Sequence, residues 1–203
     1  MAKVSDIKQE DIIKSAIEVF SQKGFEQASM EGISKQAGVS KRTLYKYYPN
    51  KDALFEVIVD KLICRFDDHA ASQFEPSVAI EQQLAELTLK QLCYLNSPDF
   101  QVIARMVMVE CIRCPKASSV LMSKFDGIED CYGLHQWVQA GIEANCLAVE
   151  DITMAVNQYV GGIKALVFWP QLLGHQAPPS NEDVAKVVTQ AAKGFIATYQ
   201  VSR

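Results

Sequence analysis

Apolar residues recur three and four positions apart along nearly the whole chain, and this spacing restricts the chain to helical folds. Near the amino terminus, Ile12, Ile13, Ala16, Ile17 and Phe20 fall on one face of a helix with 3.6 residues per turn. No stretch alternates apolar and polar residues between turn signals, as a half-buried strand would. The sequence therefore predicts an all-α fold.

Capping residues, glycines and prolines divide the chain into about nine helices. The predicted helices cover approximately residues 8–23, 30–38, 40–48, 51–71, 78–96, 99–114, 116–146, 150–173 and 181–200. Gly127, Gly133 and Gly141 leave open whether residues 116–146 form one helix or two.

The composition is that of an ordinary globular protein, with 49% hydrophobic and 22% charged residues among 203. No uncharged apolar run approaches the roughly 18 residues of a membrane helix, and the amino terminus lacks the apolar core of a signal peptide. We expect a cytoplasmic protein without a membrane partner. Its six cysteines are then expected to be reduced, and mostly small buried hydrophobic residues.

Positive charge is concentrated in one short window, although the chain carries a formal net charge of −4. No acidic residue occurs between positions 35 and 51, and acids outnumber bases after residue 52. The cations in the window are Lys35, Lys41, Arg42, Lys46 and Lys51. A local basic stripe on an acidic chain is typical of a nucleic-acid-binding face.

Two short helices meet inside this window across Gly38-Val39-Ser40. The glycine permits a sharp turn and the serine caps the next helix. Such a pair lets the second helix enter the roughly 12 Å wide major groove of DNA. The side chains that the second helix offers are Lys41, Arg42, Thr43, Tyr45, Lys46 and Tyr47. A basic cluster is often only a solvated face, but its coincidence with two caps and a turn glycine favours DNA binding.

The sequence EGISKQAGVSKRTLYKYYPNKDAL at residues 31–54 closely resembles the TetR family of bacterial transcriptional regulators. The preceding Phe20, Gly24 and Phe25 fit the same pattern, and the resemblance covers residues 6–66. It implies a regulator that binds DNA as a homodimer through a helix-turn-helix between Ser29 and Tyr48.

The resemblance also implies individual roles for residues of this motif. Ser40, Thr43 and Tyr47 correspond to phosphate contacts, and Lys41, Arg42 and Tyr45 to positions near bases and the groove wall. Lys46 is included in the same DNA face. Lys51, at the start of the fourth helix, corresponds to a phosphate anchor that the helix dipole supports. Three positions depart from the common pattern: Ala28, Gly32 and Arg42.

The chain is expected to have two parts, a DNA-binding domain at residues 6–66 and a regulatory and dimerisation domain at residues 67–203. The helices from Asp151 and Glu182 are apolar around most of their circumference, which favours burial against both a core and a partner. The predicted dimer-interface residues are Tyr159, Ile163, Val188, Ala191 and Phe195. The segment Glu110–Pro115 also resembles a signature of one TetR carboxy-terminal subgroup.

The family resemblance implies a repressor released from a palindromic operator by a small apolar or amphipathic effector. The alternative is a regulator of the same fold that a protein partner controls. Side chains that could line an effector pocket are Phe66, Met106, Met122, Phe125, Tyr132, Trp137 and Tyr159. The same set is also compatible with an ordinary core.

Two cysteine spacings, Cys111-x-x-Cys114 and Cys131-x-x-x-His135, would place metal ligands on one helix face. We favour buried structural cysteines, because Pro115 follows Cys114 directly and intracellular cysteines are commonly buried. No metal site and no cofactor are predicted. The sequence contains no nucleophile elbow, phosphate loop or paired carboxylates, and we expect no enzymatic activity.

Overall fold

The computed structural model describes residues 4–63, 74–125 and 133–201. Within these ranges the chain forms eleven helices and no strand, so the all-α prediction is confirmed. The helices are α1 (Val4–Lys23), α2 (Met30–Gln36), α3 (Lys41–Tyr47), α4 (Lys51–Ile63), α5 (Ile80–Leu95), α6 (Pro98–Arg113), α7 (Pro115–Phe125), α8 (Leu134–Glu143), α9 (Ile152–Val167), α10 (Trp169–Leu172) and α11 (Asn181–Tyr199).

The helix count exceeds the predicted nine because two predicted helices are each divided. The predicted helix over 116–146 corresponds to α7 and α8, and Gly133 precedes α8 in the left-handed region at φ +64°. The predicted helix over 150–173 corresponds to α9 and α10, separated at Phe168. Pro170 lies in the first turn of α10, where its missing N–H costs nothing. The predicted continuation of α4 beyond residue 63 lies outside the described residues.

Side-chain caps begin α2, α3 and α4, and the sequence predicted the two serine caps. Ser29 accepts a hydrogen bond from the Gly32 amide at 3.1 Å, and Ser40 accepts one from the Thr43 amide at 3.1 Å. The Asn50 side chain accepts from the Ala53 amide at 2.8 Å. Each cap satisfies an amide that the helix itself leaves unpaired.

The described chain forms two compact units. The first unit contains residues 4–63 and 102–125, and the second contains residues 74–101 and 133–201. This grouping differs from the predicted division at residues 66 and 67, because the later part of α6 and all of α7 belong with the helix-turn-helix. The reason is tertiary packing of segments far apart in sequence, which a linear pattern does not reveal.

The core of the first unit is apolar and centred on α1 and α4. Phe20, Phe25 and Phe55 form a chain of ring contacts with centroid distances of 5.3 and 5.2 Å. Helix α7 packs on α4, where Lys116 pairs with Asp52 at 2.9 Å. Lys124 pairs with two further carboxylates of α4, those of Glu56 and Asp60, at 3.2 and 2.8 Å.

The second unit is a bundle in which α11 packs on α5 and α9. The rings of Tyr159 and Phe195 make an edge-to-face contact at 5.5 Å between centroids. Trp137 is almost completely buried and contacts the ring of Phe74 at 5.2 Å. Among the helices described in both units, none has the length and hydropathy needed to cross a bilayer.

A buried hydrogen bond between Thr88 and Tyr159, 2.8 Å between hydroxyl oxygens, joins α5 to α9. Burial raises the pKa of the Tyr159 phenol to about 12, although the Thr88 hydrogen bond lowers it. Because the folded-state pKa exceeds the unfolded value of about 10, this contribution to stability is complete below pH 10 and is lost as the pH rises through 12.

We expect the free energy of unfolding to fall by about 2–3 kcal/mol over this range because of Tyr159 alone. The Tyr159→Phe variant should lack this component when denaturant titrations are repeated at successive pH values. Parallel pH profiles for the two proteins would contradict the assignment.

Candidate nucleic-acid interface

The helix-turn-helix is built by α2, α3 and the short turn between them. Gly38 in this turn has φ +63°, a left-handed conformation that favours glycine. The Val39 amide donates to the Ser34 carbonyl at 3.0 Å and closes the turn. Leu44 and Tyr48 are buried and fix the inner face of α3, so the opposite face of α3 is free to meet DNA.

The outer face of α3 exposes cations and a phenol. Arg42, Tyr45 and Lys46 are exposed, with Tyr45 51% accessible. Lys46 lies 5.9 Å from the ring centroid of the half-buried Tyr47. Within the described residues, Arg42 makes no ion pair. These side chains can meet phosphates and base edges without first breaking a buried contact.

Three of the predicted contact residues have polar partners within the motif. Lys41 pairs with Glu31 at 3.0 Å, but both side chains are more than half exposed. Such a surface pair is worth only about 0–1 kcal/mol, so a phosphate can replace Glu31. The hydroxyls of Ser40 and Thr43 lie 2.8 Å apart, at the amino end of α3. Glu31 is a partner that the sequence reasoning did not identify.

Lys51 makes contacts within the protein that its predicted role as a phosphate anchor did not foresee. Its ammonium donates to the carbonyls of Phe25 and Glu26, at 2.5 and 2.9 Å. It also lies 4.7 Å from the centroid of the Phe25 ring. Lys51 thereby ties the start of α4 to the turn between α1 and α2.

Glu110 of α6 holds the same turn from a second direction. Its carboxylate is buried and accepts a hydrogen bond from the Phe25 amide at 2.9 Å. Phe25 therefore has its N–H bound by Glu110 and its carbonyl bound by Lys51. Glu110 was noted in the sequence only as part of a resembling segment. Its contact with Phe25, 85 positions away, had no sequence signal.

The predicted pocket residues that the structure describes are distributed over both units, and the pocket stays a prediction. Met106 is buried in the first unit, whereas Trp137 and Tyr159 are buried in the second. Met122 is 51% exposed and lines no enclosed core. Phe66, Tyr132 and the side chain of Phe125 lie outside what the structure describes.

The predicted dimer-interface residues mostly pack inside the monomer. Tyr159, Ile163, Val188 and Phe195 are all less than one-tenth exposed, and only Ala191 is partly accessible. Helical period alone does not distinguish a monomer core from an interface, and the predicted interface at these residues stays a prediction.

The cysteines give no support to metal binding in the described part of the chain. Cys111 and Cys114 are free, and no group of three His, Cys, Asp or Glu side chains there could hold a metal ion. Burial raises the pKa of the Cys111 thiol, and the nearby Glu110 and Cys114 raise it further. This disfavours the thiolate, which is the form that binds metal. Cys131 lies outside the described residues.

Comparison with known families agrees with this geometry. Residues 12–58 match the profile of bacterial regulatory proteins of the tetR family. Residues 82–201, more than half of the chain, match the profile of an AefR-like transcriptional repressor, C-terminal domain. The second match includes the Glu110–Pro115 segment that the sequence had related to a carboxy-terminal subgroup.

Individual proteins show the same relationship. The HTH-type transcriptional regulator UidR of Escherichia coli (strain K12) is 29% identical over 116 residues, which is 56% of either chain. The HTH-type transcriptional repressor NicS of Pseudomonas putida is 28% identical over 108 residues, which cover 50% of this chain and 49% of NicS. The chain thus spans about half the length of these curated relatives.

A crystal structure of a TetR family transcriptional regulator from Pseudomonas syringae pv. tomato str. DC3000 matches over nearly the full length. Its TM-score is 0.85 at 28% identity, and the alignment covers 98% of this chain and 99% of that chain. The helix-turn-helix, the two family profiles and this full-length structural match lead to one conclusion. The chain belongs to the TetR family of DNA-binding bacterial transcriptional regulators.

Proposed function

We propose that the protein is a repressor that binds a palindromic operator as a homodimer and leaves it when a small apolar or amphipathic effector binds. The observation that carries this proposal is the outer face of α3. It combines the exposed cations Arg42 and Lys46 with the phenol of Tyr45, on a helix whose inner face is buried through Leu44. Ser40, Lys41, Thr43 and Tyr47 complete the proposed DNA face, with Lys51 beside it.

A homodimer is proposed because two reading helices must reach successive major grooves, roughly 34 Å apart on a palindromic site. The exposed apolar side chains of α9 support a partner surface. Met154 and Leu166, about 120° apart around α9, are 58% and 64% exposed, and Leu173 beyond α10 is 61% exposed. A Cβ atom added at Gly161 or Gly162 would meet nothing within 4 Å, so a partner helix can approach closely.

An effector site in the second unit is supported by two buried polar atoms without partners in the described chain. They are the indole N–H of Trp137 and the side-chain oxygen of Gln101. A buried polar group left unpaired costs about 1–3 kcal/mol, which an effector with polar tips would recover. The cavity beside Thr88, Gln91 and Ile163 has a volume of about 20 Å³, room for one water molecule. Binding of a larger effector must therefore open this unit. The effector would then favour the open conformation, because it binds that conformation more tightly.

The experiment is to select operator fragments from genomic DNA and compare the unmutated protein with Arg42→Ala. Loss of one phosphate contact should reduce the slope of log affinity against log salt by about 0.9. If Arg42 instead contacts a base, affinity should fall by about 1–3 kcal/mol at one operator position. Lys193→Ala, an exposed cation of α11, is the matched control and should leave affinity unchanged.

Unaltered operator affinity in Arg42→Ala, Lys46→Ala and Tyr45→Phe together would remove α3 as the reading helix. The same fragments, titrated with candidate effectors, test release. A protein that holds its operator in the presence of every compound that binds the second unit would contradict the effector mechanism.

A further inference from the structure

The first unit contains a groove far larger than the cavity beside Thr88 in the second unit. It lies between the end of α1 with its following turn and the α6 face, and its volume is about 650 Å³. This is within the range of roughly 300–1,000 Å³ that small-molecule sites occupy. None of the residues proposed to contact DNA lines the groove.

One part of the groove is apolar. Phe20 and Met106 lie at its base and are almost completely buried, whereas Val102 and Val109 are 46% and 40% exposed. The two valines are seven residues apart on α6, two helical turns, and therefore lie on one stripe. The stripe offers an apolar chain or ring a surface along which it can lie.

The charged side chains of the groove are mostly cations, and Ser21, Gln22 and Gln27 also line it. Lys23, Arg105 and Arg113 line it, opposed by one carboxylate, that of Glu110. The exposed Lys23 and Arg113 make no ion pair within the described residues. Glu110 already accepts the Phe25 amide at 2.9 Å. The lining thus has a surplus of positive charge beside its apolar stripe.

We propose that this groove binds an amphipathic anion, a carboxylate with an alkyl or aryl body. The body lies on Val102 and Val109, and the carboxylate is held by Lys23 and Arg113. An anion is selected because Lys23 and Arg113 make no ion pair within the described residues, and an apolar body because the base and stripe lack hydrogen-bonding groups. The site is separate from the effector site proposed in the second unit.

Sodium octanoate is a suitable probe, titrated into the full-length protein by isothermal calorimetry, with 1-octanol and octylammonium as neutral and cationic counterparts. We expect saturable binding of one octanoate and much weaker binding of both counterparts. The double variant Lys23→Ala/Arg113→Ala should weaken octanoate binding about tenfold or more, the range expected for hydrogen bonds to charged groups. Lys61→Ala, another exposed cation of the first unit, should not weaken it.

A second pair of variants tests where the apolar body of octanoate lies, and both variants keep the cations of the groove. Val109→Asp should abolish octanoate binding by adding a like charge, while the nearly isosteric Val109→Asn should retain a measurable part of it. Val109 is 40% exposed, and circular dichroism checks that each variant is folded. Trp137→Phe, in the second unit, should bind octanoate normally, so failure of the effector proposal is distinguishable from failure of this one.

Three results would overturn the groove site. The first is equal binding of octanoate and octanol, and the second is equal octanoate affinity in the double variant and the unmutated protein. The third is absence of octanoate binding together with a loss of operator affinity in the double variant, which would assign Lys23 and Arg113 to DNA phosphates.

Discussion

Leu166→Glu is expected to yield a monomer that has lost specific operator binding. Leu166 is 64% exposed near the end of α9, where a partner chain would enclose it. A glutamate there would bury an unpaired charge in the proposed interface, at a cost of several kcal/mol. Without the second reading helix, operator affinity should fall toward the non-specific level, a loss of about 10³-fold or more. Sedimentation and electrophoretic mobility shift measure the two effects.

Two controls separate this result from general damage. Leu89→Glu, at a partly exposed leucine of α5, should remain dimeric and bind the operator. Val188→Asp replaces a fully buried residue of α11 and should lower the melting temperature of the chain itself rather than only dissociate it. Dimers that persist in Leu166→Glu at micromolar concentration would move the interface away from this end of α9, and monomers in the unmutated protein would remove the interface altogether.

Lys51→Met should affect both folding and DNA binding, in contrast to Arg42→Ala. Methionine keeps an aliphatic stem but removes two charge-assisted hydrogen bonds and the contact with the Phe25 ring. Since these groups are partly exposed, we expect a loss of about 1–3 kcal/mol, or about 5 °C in melting temperature for a chain of this size. Operator affinity should fall as well, because the turn beside α2 is no longer held.

Thermal unfolding in the absence of DNA distinguishes the two roles of Lys51. Lys46→Met, which removes an exposed cation from α3, is the control and should leave the melting temperature unchanged while weakening DNA binding. If Lys51→Met also melts at the unmutated temperature but binds DNA weakly, its ammonium acts as a phosphate contact only.

Local features of this fold were predictable because their causes are local. Ser40 caps α3 through a group three residues away, and Gly38 adopts the left-handed conformation because the turn requires it. The helical assignment of α9 and α11 follows equally from spacing. Spacing does not reveal which face of α9 packs against the core of its own chain. Tyr159 and Leu166 are both apolar, and they differ only in what packs against them.

In the candidate site, too, the local features were predictable from the sequence and the long-range contacts were not. The exposed face of α3 follows from its period and charge, and Arg42 and Lys46 lie where the pattern placed them. Lys51 was found as a residue but not as a tie to Phe25, because the carbonyls it binds are 25 and 26 positions away. The groove beside α6 was not predicted, because it is lined by segments far apart in sequence. No residue pattern indicates that two such helices leave a gap between them.

The ion pairs between α4 and α7 have a consequence for how DNA affinity is measured. Asp52, Glu56 and Asp60 follow one another at four-residue intervals along α4, and two lysines of α7 form ion pairs with all three. These pairs are accessible to solvent, so added salt screens them just as it screens contacts with phosphate. A salt titration of operator binding therefore reports two processes together, ion release from DNA and loosening of the protein's own helix pair. A slope taken at face value would overcount the phosphates contacted.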